Sequence, residues 1–277
     1  MKLFLIIMLI FGLCGCQESI VDNNIPKKES LIDSNGQTLQ TRIKTPDGYT
    51  RIESSDFIDY LREYELKEDG SPVLLYDGSK KLNQSRHIAV FKLPIENEDL
   101  QQCADSVMRI YAEYYYQRKE YDKISFHFVD GFKADFSKWI EGYRIKFVND
   151  KATWYKATTY NDNYETFKKY MRIIFAYSST LSLYEESYSI DDKDIAIGDI
   201  FLKPGSPGHV VMVVDMCIDN NGKKAFLLAQ GYMPAQEFHV ICNPRHEDPW
   251  YYEDELTYPF NTASYLFDEG SLRRLKY

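Results

Sequence analysis

An α+β fold, with helices packed on an antiparallel sheet, is what this sequence predicts, and three observations predict it. Segments 97–121 and 164–187 place apolar residues at the three-to-four spacing of a buried helix face. Between 198 and 242 the pattern changes to short aliphatic runs broken by Gly, Pro, Asn and Asp, the signature of an antiparallel meander. The helices come first and the strands follow.

Each element has a local reason. Segment 54–66 (SSDFIDYLREYEL) reads as a short helix with Ser54 or Ser55 as cap and Phe57, Leu61 and Tyr64 on one face. Segments 71–78 and 86–93 read as strands. In 97–121 Asn97 is the expected cap, Glu98 and Asp99 suit the positive end, and Arg118 and Lys119 suit the negative end. That start puts Cys103 in the second turn. Segment 123–129 alternates as a strand, and 143–158 forms a hairpin turning at Asn149–Asp150. The helix over 164–187 breaks near Ser178 to Thr180. Strands are expected over 198–203, 209–217, 224–230 and 237–242, with Asp219 to Gly222 turning between the second and third. The remainder, 243–277, reads as irregular cover.

The bulk numbers suit one large domain: 277 residues, 44% hydrophobic and 15% aromatic. A net charge of −9, with no basic run interleaved with aromatics, argues against a nucleic-acid partner. The N-terminus, MKLFLIIMLIFGLCGCQES, has one Lys, an apolar run too short to span a bilayer, and Leu13-Cys14-Gly15-Cys16. It resembles a bacterial lipoprotein signal. The expected organisation is a signal peptide over 1–15, a polar tether over 16–42 and one domain over 43–277. Lipid on Cys16 is the expected membrane link, with export to the cell envelope and the outer membrane or periplasmic face preferred. Once Cys16 carries lipid, Cys103, Cys217 and Cys242 remain, so at least one thiol is unpaired within the chain.

The chemistry centres on GDIFLKPGSPGHVVMVVDMCI (198–218), a strand, a Pro/Gly-shaped loop and a long strand that opens on His209. A thiol attacks a carbonyl best beside a base and a helix N-terminus, with a third polar group orienting the base. The order helix, Gly-His strand, further strand resembles that of papain-like hydrolases, and this resemblance implies Cys103 as candidate nucleophile, His209 as candidate base and Gln230 as the orienting or oxyanion residue. Gly205, Ser206, Gly208, Trp139 and Tyr232 are candidate binding residues around them. Asp199 reads as a turn stabiliser. His239, Cys242 and His246 are metal ligands by type, but their spacing matches no standard zinc pattern, so neither metal nor cofactor is expected.

Gly198-Asp199-Ile200-Phe201 followed by Gly208-His209-Val210-Val211 resembles the strand pair of papain-like NlpC-type and CHAP-type cell-wall peptidases and amidases. That resemblance implies a papain-like core, with His209 at the catalytic histidine. The match is incomplete. Those families open a helix on Asp-Cys-Ser-Gly or Gln-Cys-x-x-Tyr, where this chain has Gln102-Cys103-Ala104-Asp105, and its Cys–His separation is longer than theirs. The wider chain, through DLQQCADSVMRIYAEYYY, WIEGYRI, STLSL and LLAQGYMPAQEFHV, resembles a family of bacterial lipoproteins with a domain of unknown function over about 45–275. Two readings follow. One is a thiol-dependent peptidase or amidase acting on envelope peptide or amide bonds. The other is a non-catalytic lipoprotein that binds glycan or cell-wall peptide on the same scaffold.

Overall fold

The computed structural model describes residues 30–277, so the leader and Cys16 lie outside the described residues. The helices are α1 Leu39–Arg42, α2 Asp56–Arg62, α3 Cys103–Gln117, α4 Phe136–Ile140, α5 Tyr164–Tyr177 and α6 Thr180–Glu185. The first six strands are β1 Tyr49–Arg51, β2 His87–Val90, β3 Ser125–His127, β4 Lys133–Asp135, β5 Tyr143–Val148 and β6 Lys151–Lys156. There follow β7 Ser187–Ser189, β8 Ile200–Lys203, β9 His209–Asp219, β10 Lys224–Gln230 and β11 His239–Ile241. The last four are β12 Tyr251–Tyr252, β13 Phe260–Asn261, β14 Leu266–Phe267 and β15 Leu272–Leu275.

One nine-stranded sheet organises the molecule in the order β2-β11-β10-β9-β8-β15-β7, with β1 added to β9 and β12 to β10. Its centre, β8 to β11, is the meander read from the sequence, and its pairings are antiparallel. The aliphatic run of β9 is explained by its place, because both faces of the strand are covered. Val210, Met212 and Val214 pack in the core that contains Ala104, Val107 and Met108 of α3. Val211 and Val213 pack on the other face with Phe201, Phe226, Phe260 and Phe267.

A buried charge anchors β9 to the N-terminal segment. Asp215 is wholly buried and accepts from Arg51 Nε at 2.7 Å and Arg62 Nε at 2.9 Å. It lies where the β9–β10 register slips by one residue, a bulge that turns an acidic side chain toward β1 and α2. Further out, β5 and β6 form the expected hairpin; Asn149 (φ 49°) and Asp150 (φ 60°) supply the paired left-handed residues of a two-residue turn. Asn163 caps α5 by accepting from Thr166 N at 2.9 Å. The break after Tyr177 lets Ser179 cap α6, accepting from Leu181 N at 3.1 Å.

Three expectations are corrected. Helix α3 begins at Cys103 with Gln102 as its cap, not at Asn97. Residues 98–102 make tight turns instead of a helical ladder: Leu100 N donates to Glu98 O at 2.8 Å and Gln102 N to Leu100 O at 2.7 Å. Asp99 is drawn away to accept from Ala235 N at 2.6 Å. No strand forms over 71–78, where only isolated bridges occur and Gly78 turns the chain at φ +81°. The fold also begins before residue 43. Leu39 in α1 is fully buried and Arg42 Nε donates to Gly36 O at 2.8 Å, so the end of the expected tether belongs to the domain.

Candidate active site

Three chain segments converge at the start of β9. The Pro/Gly loop enters the strand through Gly208, where a Cβ would lie 2.3 Å from Gly205 O and 2.7 Å from Thr180 Oγ1, so only glycine fits. Thr180 Oγ1 also accepts from Gly205 N at 3.2 Å, tying the loop to the start of α6. At the end of β10, Gly231 meets the first turn of α3: a Cβ there would stand 2.2 Å from Ser106 Oγ and 2.9 Å from Gln102 O. Missing side chains thus let the helix start, the loop and two strand ends close on one another.

His209 is buried at this junction. Its Nε2 is 2.8 Å from Gln230 Oε1. The carbonyl oxygen can only accept, so Nε2 carries the hydrogen and Nδ1 is left as the basic nitrogen. The orientation of Gln230 is fixed from behind. Its amide nitrogen is 3.2 Å from Ser264 Oγ and 3.4 Å from His239 Nε2. His239 donates from Nδ1 to Glu237 O at 2.8 Å, which makes its own Nε2 an acceptor. Lys81 Nζ approaches that same nitrogen at 3.4 Å. A file of side chains, Lys81–His239–Gln230–His209, therefore sets the tautomer of the last imidazole. Burial lowers the His209 pKa to about 4 against the opposing effect of Gln230, and it lowers that of His239 to about 3. Tyr232 and Tyr265 enclose the His209 ring, with centroids at 4.7 Å and 5.0 Å.

Cys103 is the first residue of α3 and partly exposed. The backbone N–H groups of Ala104, Val210 and Cys103 itself face its sulfur and favour the thiolate, while burial and the neighbouring Asp105 oppose it. The opposing effects win, and the thiol is pushed up to about 11. Val210 follows His209 directly, and Cys103 is also close enough to Tyr232 to raise its phenol. Among the described residues, no hydrogen bond joins the Cys103 sulfur to the His209 ring. Asp105 is buried; its Oδ2 accepts from Gln102 N at 3.0 Å, its Oδ1 has no partner, and desolvation holds its pKa well above the usual carboxylate range.

A cavity of about 230 Å³ opens here, lined by Cys103, Asp105, Thr180, Gly205, Ser206 and Gly208 among others. Five sequence-chosen residues besides Cys103, His209 and Gly208 are thus placed: Gly205 and Ser206 line the cavity, Tyr232 flanks His209, Gln230 bonds it, and Trp139 stands apart. Trp139 is a correction. It is 4% exposed in the core, with its indole N–H donating to Thr166 O at 3.1 Å and Arg144 stacked on its ring. Asp199 does hold its turn, accepting from Ala196 N at 2.7 Å, and it pairs with Arg274. Cys103, Cys217 and Cys242 are all free thiols. Sequence reasoning missed Lys81, Ser264 and the positioning role of His239. No local pattern pointed to them: Gln230 and His239 meet as direct cross-strand partners, a register fixed only in the folded sheet.

The fold and site define a mixed α/β domain, built on a large antiparallel sheet, with Cys, His and Gln gathered at one end of its central strand. The chain belongs to the DUF4846 family, a domain of unknown function, whose sequence profile matches residues 39–274. Comparison with curated proteins and with solved structures returns no match.

Proposed function

We propose that this chain is an exported envelope lipoprotein, held to the membrane by lipid on Cys16, whose domain hydrolyses peptide or amide bonds on a papain-like plan. One observation carries the reading. A thiol at the first position of a helix faces the N–H of the residue after a histidine, and that histidine has its far nitrogen fixed by Gln230. In the reaction, His209 Nδ1 takes the thiol proton as the Cys103 sulfur bonds to the substrate carbonyl carbon. The N–H groups at the start of α3 favour the resulting oxyanion. The imidazolium returns the proton to the leaving amine as the C–N bond breaks, and water then hydrolyses the thioester with His209 again as base. With the imidazole near 4 and the thiol near 11, the resting pair is neutral, so His209 acts as a general base and not as half of a preformed ion pair.

The same high thiol pKa, with no direct Cys103–His209 bond, favours a second reading, a glycan- or peptide-binding lipoprotein. Incubation of the protein with isolated cell-wall muropeptides, followed by mass spectrometry, separates the two. Hydrolysis predicts new fragments that disappear in both Cys103→Ser and His209→Ala. Retention of intact muropeptide, equal in wild type and Cys103→Ser, would replace the enzyme reading with the binding one.

A further inference from the structure

A larger cavity, of about 760 Å³, lies between the β3–β4 hairpin, α6 and the C-terminal residues. That is a size that encloses small ligands. Part of its lining is apolar: Tyr115, Phe128, Val129, Leu181 and Tyr277. Val129 and Leu181 are 54% and 45% exposed, although each sits beside well-packed neighbours. Around these walls stand three ammonium groups, Lys123, Lys133 and Lys276, in a chain whose net charge is −9.

Of the two carboxylates of the lining, Glu185 is exposed and leaves one negative charge beside the lysines, whereas Glu186 is withdrawn. Glu186 is buried and turned inward, accepting from the backbone N–H of His127 at 2.6 Å, from His127 Nδ1 at 2.8 Å and from the Tyr277 hydroxyl. Three donors occupy it. Because Nδ1 donates to Glu186, the part-exposed His127 ring has Nε2 as its open position. The lysine ends are themselves exposed: Lys123 pairs with part-buried Glu120 at 2.6 Å and lies over the Tyr115 ring, Lys133 pairs with part-buried Asp135 at 3.0 Å, and Lys276 Nζ donates to the backbone Glu185 O at 2.9 Å. Exposed pairs of this kind contribute little and can exchange for a ligand anion.

We propose that this cavity is a binding site for a small amphipathic carboxylate, its apolar body against Phe128, Val129, Leu181 and Tyr277 and its anion among Lys123, Lys133 and Lys276. The site is independent of Cys103 chemistry. Calorimetric titration of the full protein with decanoate, and with decyltrimethylammonium as a cation of equal chain length, tests it. Decanoate binds saturably, and the cation at least roughly tenfold more weakly, a difference of about 1.4 kcal/mol. Leu181→Glu, a substitution at an exposed position, weakens decanoate by a similar factor while leaving the thermal midpoint in place, and Cys103→Ser binds as wild type. Equal affinity for the two chains, absence of saturation, or indifference to Leu181→Glu would overturn the proposal.

Discussion

His209 is kept neutral by burial while Gln230 holds one of its nitrogens, and this combination has a pH signature. The imidazole titrates near 6.5 when exposed and near 4 in the fold, so between these values the unfolded chain binds the extra proton. Stability is therefore complete above about pH 6.5 and is lost as the pH falls through 4, by roughly 3 kcal/mol from this residue. His239 adds a loss of the same sign, extending to about pH 3. Thermal melts across this window fall more gently in His209→Gln than in wild type; parallel curves would show that His209 is not the titrating group. Gln230 is tied to the same account. Gln230→Leu leaves the Nε2–H of His209 and the acceptor nitrogen of His239 without that partner, a cost of about 1–3 kcal/mol in a chemical-denaturation midpoint. It also frees the imidazole to change tautomer, which nitrogen-resolved NMR of the ring reads directly.

At the scale of elements, the site depends on two close approaches and one buried charge. Gly231→Ala would push β10 away from Ser106 and Gln102, moving the start of α3 and with it the sulfur of Cys103. Reduced Cys103 reactivity with a small loss of stability is the expected result. Asp215→Ala removes the shared partner of Arg51 and Arg62 and leaves two guanidinium groups poorly compensated, a destabilisation of about 3–5 kcal/mol by equilibrium unfolding. The meander was legible in sequence because turn residues and aliphatic runs alternate without competition, and the Asn149–Asp150 hairpin because those residues tolerate left-handed backbone. The start of α3 was not legible. Asn97, Glu98 and Asp99 are good helix-start residues locally, but Asp99 is recruited by Ala235, more than a hundred residues away. That tertiary contact shifts the cap to Gln102 and moves Cys103 from the second turn to the first position, where a helix can act on a thiolate.

For the whole molecule, the sheet brings Cys103, His209 and Gln230 to one end of β9 from three separate stretches of chain. His209 and Gln230 could be chosen from the sequence because each ends a recognisable strand. The supporting Lys81, His239 and Ser264 could not, since their contacts depend on strand register and on a loop that no local pattern specifies. Trp139 was misplaced for the opposite reason: aromatic density marks cores and grooves alike, and here it marks a core. Anchoring is tested on the intact chain. Lipid on Cys16 predicts an added acyl mass and detergent-phase partition, both lost in Cys16→Ser, whereas an unmodified mature chain would remove the membrane link. The central claim, that His209 serves as base to Cys103, is tested most directly by the alkylation rate of Cys103 with iodoacetamide, resolved from Cys217 and Cys242 by peptide mapping, in wild type, His209→Ala and His209→Gln. Both variants are predicted to slow Cys103 alkylation at neutral pH while Cys217 and Cys242 react as before; equal Cys103 rates in all three proteins would contradict it.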